Sequence, residues 1–182
     1  MAKLKIKWNS ERILSLSAMS ISFITLIIFI YQTNLMSKQN YLSILPYLQI
    51  STSNDGEGQT FSLSVMNHGV GPAIIESVKS DFGGQAHNLE DHDNYFWEFL
   101  VSQDSILAGL EDVSTSTLDP GMAIPANTSY NIFEIRFKEG DEPKLLRLIE
   151  VLETLPYEIR YKSIQNEHWM INEDSKGPVK ID

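Results

Sequence analysis

Residues 61–75 read Phe-Ser-Leu-Ser-Val-Met-Asn-His-Gly-Val-Gly-Pro-Ala-Ile-Ile, and this stretch decides what kind of fold follows. Phe61, Leu63 and Val65 alternate with Ser62, Ser64 and Met66, the period-2 pattern of a strand with one face turned to a core. The run is interrupted at Asn67-His68-Gly69-Val70-Gly71-Pro72-Ala73. Two glycines ahead of a proline predict a bulge or sharp corner at which backbone approaches backbone. Ile74, Ile75 and Val78 then resume extended structure.

Outward from this stretch, short strands keep alternating with turn signals, the mark of a sandwich or barrel. Upstream, Tyr47, Leu48, Gln49 and Ile50 begin a strand, and Asp55-Gly56 is a turn pair able to adopt positive φ. Downstream, Tyr95, Phe96, Trp97, Phe99 and Leu100, then Ile106, Leu107 and Leu110, predict a short helix or two, with Asp93 or Asn94 as N-cap. Asp119-Pro120-Gly121 is a turn. Phe133, Ile135 and Phe137 alternate with Glu134, Arg136 and Lys138, a half-buried strand. Pro143 opens a helix in which Leu145, Leu148, Ile149 and Leu152 share a face. Tyr157, Ile159 and Tyr161 form a further strand, and Gln165-Asn166 turns into one holding Trp169 and Ile171. The expectation is a mainly β domain over 44–172, an antiparallel immunoglobulin-like β-sandwich with one or two short helices. A polar, mobile tail is expected over 173–182.

Ahead of the domain, Ile13 to Tyr31 form 19 residues without a charge. At about 1.5 Å per residue they span roughly 28 Å, close to the ~30 Å hydrocarbon core of a bilayer. A transmembrane helix is predicted over 13–31, after a basic cytoplasmic segment at 1–12 and before a polar linker at 32–43. Lys3, Lys5, Lys7 and Arg12 precede the span and only Lys38 follows closely, which places the N-terminus inside and the domain periplasmic or extracellular. The run ends in Phe29, Ile30, Tyr31 and Gln32 rather than small residues, so it reads as an uncleaved signal anchor of the cytoplasmic (inner) membrane, not a cleaved signal. Trp8 and Tyr31 flank it at headgroup level. Ser15, Ala18, Ser22 and Thr25 lie on one face and suit close approach of another helix; the competing reading has these hydroxyls bonding back to their own helix.

The chain carries a net charge of −10. Beyond Lys38, nine basic residues stand against 23 acidic ones, a net of −14, which disfavours nucleic acid and anionic lipid headgroups as partners. The absence of cysteine removes disulfides, thiolate catalysis and cysteine-ligated metal, and tilts the reading toward a bacterial protein. Asn127-Thr128-Ser129 fits a glycosylation triplet that matters only in a eukaryote.

One polar cluster invites a chemical reading. In residues 87–93, His87, Asp91, His92 and Asp93 offer imidazoles and carboxylates that could hold a divalent metal for a metal-dependent hydrolase. Their spacing argues against it: on a helix His87 and Asp91 share a face and His92 points away. His68 and His168 read as structural histidines, and the aromatic group around Trp97 as core rather than a ligand groove. No nucleophile elbow, zinc-protease helix, phosphate loop or dinucleotide fingerprint occurs. The expected role is therefore a non-enzymatic module without cofactor, sitting in the lipid bilayer and mediating protein–protein contact or homo-oligomerisation in an envelope complex.

Four segments together resemble a known pattern: Pro46-Tyr47-Leu48-Gln49-Ile50, the corner Asn67 to Ala73, the turn Pro120 to Pro125, and Tyr161-Lys162-Ser163 followed by Trp169. The chain thereby resembles a group of small bacterial single-pass membrane proteins with an N-x-G-x-G-P-A corner in a β-sandwich-like domain. The resemblance implies fold and placement, and no catalytic or binding residues. It implies architectural roles at the corner: Gly69 and Gly71 for backbone geometry, Asn67 for bonding the corner's amides, Pro72 for rigidity.

Overall fold

The computed structural model describes residues 9–57 and 59–181. The expectations for Lys3, Lys5, Lys7 and Trp8 fall outside those residues. The chain divides into two units, one ending at Leu42 and the other starting at Ser43.

Among its described residues, the first unit has one helix, α1 (Ser10–Leu42), of 33 residues with none buried. It is long and apolar enough to span a membrane, by length and composition. The linker expected over 32–43 is instead helix as far as Leu42. No glycine or proline interrupts this stretch before Pro46, and Leu35, Met36, Lys38 and Gln39 are good helix formers, so nothing local stops propagation. At roughly 1.5 Å per residue α1 is about 50 Å long, some 20 Å more than a hydrocarbon core requires.

The second unit contains two antiparallel sheets and two helices. In chain order these are β1 (Leu48–Asp55), β2 (Thr60–Asn67), β3 (Ala73–Phe82), β4 (Gln85–Asn88), α2 (Phe96–Gln103), β5 (Val113–Thr115), β6 (Ala123–Ile124), β7 (Thr128–Arg136), α3 (Glu142–Thr154), β8 (Tyr157–Lys162), β9 (His168–Asn172) and β10 (Val179–Ile181). One sheet has the order β1-β2-β7-β5; the other runs β10-β9-β8-β3-β4, with β6 also paired to β3. A single core takes Leu48, Phe61, Leu63, Val65, Phe133 and Ile135 from the first sheet and Ile75, Val78, Ile159, Tyr161 and Ile171 from the second.

Two bulges shape that core. Ile75 pairs with Tyr161 and Ser77 with Arg160, leaving Glu76 as the extra residue. This is why Ile75 and Val78, three apart, both point inward. Leu63 pairs with Phe133 and Ser64 with Asn131, so Ile132 is the extra residue in β7 and is buried beside Phe133.

Three local expectations are corrected. The tail expected over 173–182 carries β10, paired to β9 through Val179↔Met170 and Ile181↔His168. Neither Asp93 nor Asn94 caps α2: the cap position is Tyr95, without a side-chain bond. Asp93 and Asn94 instead adopt positive φ, 51° and 62°, which Asp and Asn tolerate better than other side chains, and they turn the chain out of a 3-10 turn at Leu89–His92. At the β1–β2 turn, positive φ falls on Gln59 rather than on the Asp55-Gly56 pair, and the Asp55 carboxylate accepts from the Glu57 amide at 3.1 Å.

Candidate functional site

The corner after β2 is a fully bonded polar site. Asn67 ends β2 and is fully buried. Its Oδ1 accepts from the amides of Tyr47 at 3.1 Å and Gly69 at 2.9 Å. Its Nδ2 donates to the carbonyls of Gly71 at 2.9 Å and Ile124 at 3.0 Å. All four hydrogen-bonding positions of the amide are thus used, and two N–H groups facing the oxygen and two carbonyls facing the nitrogen fix its orientation.

The glycines are dictated by proximity. A Cβ on Gly69 would strike the Leu45 carbonyl oxygen and lie 2.5 Å from the Tyr47 nitrogen; one on Gly71 would strike the Ile44 carbonyl and lie 2.7 Å from its Cα. Backbone bonds complete the junction: the His68 amide donates to Tyr47 at 2.8 Å and the Val70 amide to Leu45 at 3.0 Å. From the other sheet, the Tyr161 hydroxyl accepts from the Leu48 amide at 3.4 Å. Burial pushes the Tyr161 phenol well up from its ordinary value, so it stays neutral and serves as a fixed hydrogen-bonding group. The turn at Pro120–Gly121 fastens to β3 through Gly121 N to Ile75 O and Ile75 N to Met122 O, both 2.8 Å. Ser163 closes the β8–β9 turn by accepting from the amides of Gln165 at 3.2 Å and Glu167 at 3.3 Å. The segments that stood apart in the sequence are tied by backbone bonds around these turns, and Asn67 itself reaches both sheets.

The second candidate region is built differently. His87 lies on β4 and His92 closes the 3-10 turn, and their rings come within 6.4 Å of each other. Both pack on Phe99 of α2, at 5.4 and 5.3 Å. Asp91 and Asp93 are exposed. Among the described residues no three His, Cys, Asp or Glu are placed to hold a metal together. The structure therefore joins the two imidazoles, which helical spacing had kept apart, and leaves the two carboxylates outside. His87 Nε2 and Asn88 Oδ1 are buried without hydrogen-bond partners.

His68 is exposed with its ring edge-on to Tyr47. His168 Nδ1 lies 2.8 Å from Glu76 on the β3 bulge, with Lys162 at 3.8 Å from the same carboxylate. Trp97 enters the core against Phe133, 5.2 Å between centroids. On α1, the hydroxyls of Ser15, Ser22 and Thr25 donate to the carbonyls of Glu11, Ala18 and Ile21 one turn earlier, at 2.8, 2.9 and 2.8 Å. The small face including Ala18 is present, and its polar groups are occupied within its own helix.

Sequence reading missed a half-buried ion pair, in which the carboxylate is buried and the guanidinium is partly exposed. Asp104, at the end of α2, accepts from Arg147 Nε of α3 at 2.7 Å and from the Ile106 amide at 3.0 Å. The Arg147 hydrogen bond holds the Asp104 carboxyl below its ordinary value. Lys144, one turn earlier, donates to the Gly109 carbonyl at 2.6 Å and to Asp141 at 2.9 Å. Helical spacing put Lys144 and Arg147 on the outward face of α3, but nothing local named their partners. Compared with known proteins, the chain matches no protein-family model and no curated protein.

Proposed function

We propose that the chain is a single-pass, membrane-anchored, non-enzymatic module of the bacterial inner membrane. Its N-terminus lies inside and an immunoglobulin-like β-sandwich is displayed on the far side for contact with a partner protein in an envelope complex. The observation that carries this reading is the combination, in one chain, of α1, 33 residues with no buried position, and a domain in which the buried Asn67 side chain bonds only backbone. A helix apolar on all sides needs lipid around it. A sandwich on such a tether works through its loops and edges. The likeness to small single-pass bacterial proteins, carried by the corner and its companion segments, supports the same placement.

In-cell photocrosslinking tests it. A photoreactive residue is placed singly at exposed positions around the domain, including Asp91, Thr52 and Gln165. The reading expects a discrete protein adduct from at least one of them. Absence of any adduct across the surface would overturn it.

A further inference from the structure

We propose that β1 is a docking edge that takes up an extended, basic segment of the partner protein as an added strand, one of its side chains entering the recess beside Asn172. This deepens the contact function above and rests on it. β1 is an outer strand, in unbroken register with β2 from Leu48↔Asn67 to Asp55↔Thr60. Because the Tyr47 carbonyl accepts from His68, antiparallel alternation turns the main chain of Gln49, Ser51 and Ser53 to β2 and that of Ile50, Thr52 and Asn54 away from it. Ser51 to Asp55 are exposed. Outer strands are ordinarily guarded by brevity, lysine, proline or a bulge. The other outer strands are brief: β5 and β10 have three residues each and β4 four. β1 has eight, Leu-Gln-Ile-Ser-Thr-Ser-Asn-Asp, with no lysine, proline or bulge and one charge at its end.

The occupant's chemistry follows from the surroundings. At the start of β1 lies a recess of about 220 Å³ lined by Leu48, Gln49, Ile50, Asn172 and Lys176 among others. Asn172 Oδ1 is buried without a partner. An amide oxygen only accepts, so what completes it must donate. Asp55 and Glu57 stand at the end of the edge away from the recess, Glu173 and Asp174 follow Asn172, Lys176 lines the recess itself, and the domain as a whole carries −14. The acidity of the domain as a whole selects a basic segment, and lysine or arginine is the donor that such a segment offers. Main-chain pairing then supplies affinity and the recess supplies preference, as in strand addition generally.

The test uses the full-length protein in phosphatidylcholine nanodiscs and two fluorescent octapeptides, one alternating Lys and Thr, the other Glu and Thr, read by anisotropy. The Lys-Thr peptide is expected to bind at least about tenfold more tightly than the Glu-Thr peptide, and Thr52→Pro to weaken it about tenfold or more. Proline at 52 removes only an outward N–H, which an outer strand tolerates. Should that variant unfold, Asn172→Leu serves instead, and is expected to abolish the preference between peptides. No binding of the Lys-Thr peptide, equal binding of both, or unchanged binding by folded Thr52→Pro would overturn the docking edge. In cells, adducts from Asp91 but not Thr52 would overturn the edge and leave the contact function standing, whereas no adduct anywhere would remove both. A Thr52 adduct to a second copy of this chain would assign the edge to self-pairing and overturn the basic partner.

Discussion

Asn67, buried, and His87, half-buried, stand twenty positions apart and show two opposite uses of a polar side chain. Asn67 meets four backbone groups and leaves none of its capacity open. His87 is held by its ring, against Phe99 and His92, while its Nε2 is buried and unpartnered. The first residue replaces a strand ladder where the chain turns a corner, so the backbone depends on it. The second serves as a flat surface for packing, so its Nε2 holds nothing in the fold. At the corner the side chain works on backbone, whereas at 87–93 the two imidazoles pack around the Phe99 ring.

The contrast can be broken most forcefully at Gly71. Gly71→Ala places a methyl on the Ile44 backbone, which cannot yield as a side chain would. Denaturant unfolding is expected to show a loss of about 3 kcal/mol or more, or failure to accumulate folded protein. Asn67→Ala comes next. It leaves the amides of Tyr47 and Gly69 and the carbonyls of Gly71 and Ile124 without their partner, and a loss of about 2–3 kcal/mol is expected, less than the sum of four bonds because some regain water. A value within about 0.5 kcal/mol of wild type would break the comparison.

Asp104→Asn should have an intermediate effect of about 1.5 kcal/mol, the worth of a hydrogen bond to a charged group. Its pH dependence has a definite sign. The folded carboxyl titrates below its ordinary value, so the Arg147 interaction is fully present above about pH 4 and is lost as pH falls through the folded value. Unfolding measured between pH 6 and pH 2 should show the difference between wild type and Asp104→Asn shrink with acidification. His87→Leu is the smallest: with no hydrogen bond at Nε2 to lose, it should change stability by less than about 1 kcal/mol in either direction.

The legible parts of the fold were those fixed within one strand or one turn. Phe61, Leu63 and Val65 announce their buried face because side-chain period is local, and Gly69 and Gly71 announce a close approach because little else tolerates one. The bulges at Glu76 and Ile132 were not legible, since a partner strand decides where an extra residue is absorbed. The continuation of α1 through 32–42 was hidden by its polar residues, although Gln32, Leu35, Met36, Lys38 and Gln39 within it are good helix formers. The pairing of 179–181 with β9 and the proximity of His87 to His92 depend on contacts between separate elements. Asp104 and Arg147, 43 residues apart, had the same difficulty. Of the candidate site, residue types at the corner were readable, but not that Asn67 would reach as far as Ile124.

The central claim is that α1 holds the domain on the far side of a membrane, and the absence of native cysteine makes it directly measurable. A Gln165→Cys variant of the full chain places one thiol on an exposed turn. With a membrane-impermeant maleimide added to intact spheroplasts, the account predicts labelling equal to that after lysis. Labelling that occurs only once the membrane is broken would contradict it.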